Sequence, residues 1–93
     1  MANLIVVSYD IPDDRRRYRL SHAVKDFGIR VQYSVFECHL ELDELEKLRK
    51  RVQKLIEPAE DSVRLYRFCQ DCGAKQEIYG LGQPTEEPEV YIL

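Results

Sequence analysis

Residues 3–9, Asn-Leu-Ile-Val-Val-Ser-Tyr, form an unbroken apolar and β-branched run that stops at Asp10 and Pro12. Such a run predicts a central strand buried on both faces. Beyond Pro12 the period changes. Leu20, Ala23, Val24 and Phe27 recur at i, i+3, i+4 and i+7, which predicts an amphipathic helix over 13–27 with Asp13 as N-cap and Gly28 as stop. The segment 30–40 is dense in β-branched and aromatic residues and holds neither Gly nor Pro. It reads as extended but is long for one strand, so it is either two short strands meeting near Tyr33 and Ser34 or one strongly bent strand.

Asp43 and Glu46 have the spacing of a capping-box variant, and Leu45, Leu48, Val52, Leu55 and Ile56 follow on one helical face until Pro58. A second helix is predicted there. Residues 62–69 then read as a strand and 75–79 as a shorter one, before the Gly-rich loop 80–84. The acidic stretch 85–88 leads into a β-prone tail, Glu89-Val90-Tyr91-Ile92-Leu93. Because an unpaired apolar edge recruits partners, the tail 85–93 is expected to pair across a subunit interface and stabilise a dimer. The order of elements predicts an α+β fold over 1–93, a ferredoxin-like βαββαβ plait with extra C-terminal strands.

At 93 residues the chain has the length of one small domain, so an active site is expected to be shallow or shared between subunits. The sequence has neither an apolar run of about 18 residues nor a signal-like N-terminus, which predicts a cytoplasmic protein without membrane contact. Three cysteines, an odd number, argue against a disulfide framework. The net charge of -3 conceals a gradient. Residues 1–36 carry six Arg and Lys against four Asp, net +2, whereas 37–62 are net -3 and the remainder net -2. That balance argues against a generally basic coat, and any nucleic-acid surface would belong to the first third.

Three constellations in that third carry candidate chemistry. Tyr9-Asp10-Ile11-Pro12-Asp13-Asp14 sets a carboxylate at the carboxyl end of the predicted central strand, where ligands gather in open α/β sheets. Asp10 is either such a ligand or a partner for a helix terminus or an arginine, while Asp13 and Asp14 suit cap and dipole roles. One aspartate holds Mg²⁺ weakly, but two related by a twofold axis can share a hydrated ion. Arg15-Arg16-Arg17-Tyr18-Arg19 follows, with cations that oppose the helix dipole. Arg16 falls in line with the core stripe and Arg17 at its flank; Arg15 and Arg19 share the other flank without an acid between them, which suits phosphate. Finally, Arg30, Gln32, Ser34 and Phe36 alternate onto one face of a regular strand, and composition places Phe36 in the core.

Other motifs are less informative. Cys69-Gln70-Asp71-Cys72-Gly73 has a zinc-like spacing, but only Cys38 and His39 remain as partners and strand neighbours face opposite ways. A turn is the simpler reading. His22 falls on the outer helix face, and neither histidine has a nucleophile at a diagnostic spacing.

The Tyr9 to Asp14 motif, the following Arg16-Arg17-x-Arg19-Leu20, and Gly28-x-Arg30-Val31-Gln32-x-Ser34-Val35-Phe36-Glu37 together resemble the CRISPR-associated protein 2 family. The Leu-rich second helix, Arg64-Leu65-Tyr66 and the tail extend that resemblance over the whole chain. It implies a ferredoxin-like homodimer with the C-terminal strand packed on the partner, acting in spacer acquisition by bridging dimers of the CRISPR integrase. It further implies Mg²⁺-dependent cleavage of single-stranded RNA or double-stranded DNA, with the metal on Asp10 and catalytic neighbours at Tyr9, Arg17, Arg19, Arg30 and Phe36. Nucleic acid would be held by Arg15, Arg16, Arg17, Arg19 and Arg30. A non-catalytic scaffold and a stand-alone toxin-like ribonuclease are the alternatives.

Overall fold

The computed structural model describes residues 2–69 and 73–82. The elements follow as β1 (Asn3–Asp10), α1 (Asp14–Lys25), β2 (Ile29–Gln32), β3 (Val35–Leu40), α2 (Leu42–Leu55), β4 (Ser62–Cys69) and β5 (Gly73–Gly80). One antiparallel sheet has the order β2-β3-β1-β4-β5. Removing β5 leaves the ferredoxin-like βαββαβ arrangement, with β1 central as predicted. The tail 85–93 lies outside the described residues.

Only one face of β1 is fully covered, which corrects the expectation of burial on both. Ile5, Val7 and Tyr9 are buried, whereas Leu4, Val6 and Ser8 between them are only half-buried. Strand neighbours point to opposite faces, and Ile5, Val7 and Tyr9 join Leu20, Leu48 and their neighbours from the helices in a single core cluster. The opposite, helix-free face carries Leu4, Val6, Val35, Tyr66, Phe68 and Ile78, all half-buried.

The segment 30–40 resolves into two strands joined at Tyr33 and Ser34, with a register shift in β2 between Arg30 and Gln32. Helix α1 begins where Asp13 accepts a hydrogen bond from the Arg16 N–H at 2.9 Å, and that bond holds the Asp13 carboxyl below its ordinary range. Gly28 is required for a steric reason. A Cβ there would stand 2.5 Å from Cys38 Sγ and 2.8 Å from Cys38 Cα, so only glycine lets the α1–β2 corner close onto β3. The second helix starts earlier than the Asp43 and Glu46 spacing suggests. Glu41 is its N-cap, and the Glu44 carboxylate accepts the Glu41 N–H at 3.0 Å. Strand β3 ends at Leu40 with no linker, so chain continuity overrides the better capping propensity of Asp43.

Strand β5 is tied to α2 by Arg49, which donates to Glu77 at 2.8 and 2.5 Å. The guanidinium holds the Glu77 carboxyl below the usual range. A depressed folded-state pKa contributes stability above the unfolded value of about 4.3 and loses it as pH falls through the folded value. Glu77→Gln is therefore expected to flatten the acid limb of a thermal-stability profile below about pH 4.5, with the rest of the profile parallel to wild type. Burial also pushes the Cys38 thiol up to about 11, so it stays protonated at neutral pH. Iodoacetamide is expected to leave tryptic peptide 31–47 unmodified in native protein and to alkylate it in denaturant, as read by mass spectrometry.

Candidate nucleic-acid site

Strand β1 ends where α1 begins, and the β2–β3 turn lies against that junction. The Tyr9 N–H donates to Ser34 O at 3.1 Å, and the Tyr9 hydroxyl reaches Tyr33 O at 3.4 Å. A shallow cavity of about 540 Å³ opens there, bordered by Asp10, Asp14, Arg17, Tyr18, Arg30 and Tyr33. Asp10 continues the alternation of Leu4, Val6 and Ser8, so it belongs to the helix-free face while standing at the rim of the cavity. Its carboxylate is exposed and has no hydrogen bond or ion pair among the described residues. Neither a helix cap nor an arginine absorbs it there.

The arginines divide by partner. Arg17 donates to Ile11 O at 2.9 Å and pairs with Asp14, which fixes it beside the β1–α1 link. Arg16 turns inward, giving Nε to Asp61 Oδ2 at 2.9 Å and Nη2 to Glu60 at 3.1 Å. Asp61 is fully buried and also accepts the Glu57 N–H at 2.8 Å. These contacts raise the Arg16 pKa further, so the guanidinium stays charged. Arg16 is thus a tie between α1 and the α2–β4 loop, with its charge already matched inside the chain. Arg15 and Arg19 are exposed and unpaired among the described residues. Arg30 lies on β2 with its guanidinium 5.3 Å from the Phe36 ring centre.

Phe36 is fully buried and stacks on Tyr9 with ring centres 6.3 Å apart. Tyr9 borders the cavity with Phe36 packed against it, and the Arg30 guanidinium stands in cation–π range of the Phe36 ring. Sequence reasoning missed Asp61 altogether. Its signal was Arg16 itself, because a cation in line with a core stripe requires a buried acid.

Among the described residues no three His, Cys, Asp or Glu side chains are grouped to hold a metal. Cys38 is buried and His39 exposed, on opposite faces as their adjacency requires. The Cys69-x-x-Cys72 motif falls outside the described side chains. No helix among the described residues is long and apolar enough to cross a membrane.

A helix-backed antiparallel sheet defines a small α+β protein, and at one end of it the Asp10 carboxylate and the Arg15 and Arg19 guanidinium groups are unmatched among the described residues. The chain belongs to the CRISPR associated protein Cas2 family, whose pattern matches residues 3–76. It is 42% identical over 93 residues to the CRISPR-associated endoribonuclease Cas2 3 of Chloroflexus aurantiacus, covering 100% of both chains. It is 42% identical over 90 residues to the CRISPR-associated endonuclease Cas2 2 of Thermus thermophilus, covering 97% of this chain and 96% of that one. A crystal structure of a hypothetical protein from Thermus thermophilus superposes with a TM-score of 0.65 at 36% identity, covering 100% and 98% of the two chains.

Proposed function

We propose that two copies meet through the helix-free face and act on nucleic acid in CRISPR spacer acquisition, with a Mg²⁺-dependent phosphodiesterase site at the shared axis. The observation carrying this reading is Asp10, a carboxylate without a partner among the described residues, at the end of an apolar sheet face that no helix covers. The names of two relatives, an endoribonuclease and an endonuclease, support cleavage as the chemistry.

The donor set fits a hydrated Mg²⁺, which takes one or two carboxylates and keeps several waters. Asp10 and its symmetry mate would hold the ion; when bound, it supplies Lewis acidity and a more acidic water. The remaining work belongs to this chain. Arg17, fixed by Ile11 O and Asp14, and Arg30, braced on Phe36, offset charge that develops on phosphate oxygens. Tyr9 and Phe36 set the depth of the groove. Arg15 and Arg19 bind phosphates along the outer face of α1.

A scaffold reading uses the same arginines to hold DNA while bridging integrase dimers, with no hydrolysis. Phosphate contacts alone would serve it, since they position a strand without reading bases. Exchange of Asp10 separates the two readings: cleavage and integration are assayed on the same variant, and sedimentation reports the dimer. Growth arrest on expression without the integrase would instead favour the toxin-like ribonuclease.

A further inference from the structure

The outer face of α1 carries a set of side chains that phosphate contact alone leaves unexplained. Arg15, Tyr18, Arg19 and His22 stand at i, i+3, i+4 and i+7, so they share one helical face, and all four are exposed. Tyr18 is 64% exposed, with its ring centre 4.3 Å from that of His22. Its hydroxyl has no hydrogen-bond partner among the described residues. The same tyrosine borders the cavity at the β1–α1 junction. Tyr33, 96% exposed on the β2–β3 turn, borders that cavity too, as do Arg17 and Arg30. One shallow groove therefore offers an exposed ring from each of two elements, together with guanidinium groups.

Phosphate needs only the cations. A duplex keeps its bases stacked on each other, so exposed tyrosine rings gain from a strand only when a base is free to leave its stack. We propose that Tyr18 and Tyr33 are base-stacking residues that make this groove selective for single strands, with His22 bracing the Tyr18 ring and Arg15 and Arg19 holding adjoining phosphates. This rests on the nucleic-acid reading above and names its substrate class. It does not depend on whether the strand is cut.

The test is fluorescence anisotropy of full-length protein with labelled oligo(dT), oligo(U) and a mixed-sequence DNA duplex of equal length. Tyr18→Ala and Tyr33→Ala should each weaken single-strand binding about 5- to 100-fold and leave duplex binding within about twofold. Tyr18→Phe should restore the loss, since the ring and not the hydroxyl is used. Arg15→Ala and Arg19→Ala should weaken strand and duplex together and lower the salt slope by about one each. An effect seen with only oligo(dT) or only oligo(U) supports the proposal and identifies the strand. Equal losses on strand and duplex, or none, would overturn it while leaving Asp10-dependent cleavage intact. A wild-type protein that binds neither would overturn both this inference and the function it rests on.

Discussion

Asp10→Ala is expected to lower Mg²⁺-dependent cleavage of a labelled strand on the order of 100-fold or more, because even residues outside a metal's direct ligands cost 10- to 100-fold when lost. The fold should be almost untouched. Asp10 is exposed, closes the β1–β4 register opposite Ser62, and makes no side-chain hydrogen bond or ion pair among the described residues. A surface exchange of this type shifts stability by no more than about 0.5 kcal/mol, which a melting curve can confirm beside the activity assay. Strand affinity should also survive, since Arg15 and Arg19 are untouched. Calorimetric titration of wild type with Mg²⁺ should give one ion for two chains, and the variant none. Cleavage that persists in the variant, or that resists chelation by EDTA, removes the catalytic reading. Integration that persists when cleavage is gone leaves the scaffold as the protein's role.

The largest stability effect is expected at Asp61. Its buried carboxylate receives two bonds from Arg16 and one from the Glu57 N–H, while its own backbone carbonyl accepts the Leu81 N–H. Removing one member of a buried pair costs about 3–5 kcal/mol, because the partner is left without compensation. Arg16 is 24% exposed and also reaches Glu60, so the lower end applies. Asp61→Ala should lose about 3 kcal/mol, roughly 12 °C or more in melting temperature for a domain of this size. Adding Arg16→Met should recover part of that loss, since the double variant no longer strands a cation. A single-variant loss below about 1 kcal/mol would show that the tie is not structural.

Much of this architecture was legible in the chain. The helical period of α1 and the Leu-rich stripe of α2 fixed both helices to within a residue or two, and β4 was read at its observed bounds. The division of 30–40 was legible only as one of two alternatives, with its bend correctly at Tyr33 and Ser34, because these residues turn the chain without the Gly, Pro or Asn that mark most tight turns. Strand β1 misled for a different reason. Leu4 and Val6 are as apolar as Ile5 and Val7, yet local sequence does not say whether a helix or another molecule covers a sheet face. At the site, the split among four nearby arginines was visible in their helical angles, but Asp61 lies 45 residues from Arg16 and no local spacing links them. Tyr18 was passed over because an aromatic beside arginines on a short helix is ambiguous until its exposure is known.

The shift of register in β2 has a consequence for the fate of the molecule at high concentration. Among the described residues β2 is an outermost strand, and Ile29 and Val31 on it are exposed and β-branched, which by composition invites polymerisation into fibres. The irregularity between Arg30 and Gln32 interrupts the straight row of amides and carbonyls that an incoming strand would need. The same irregularity therefore guards this edge against indefinite lateral growth of the sheet.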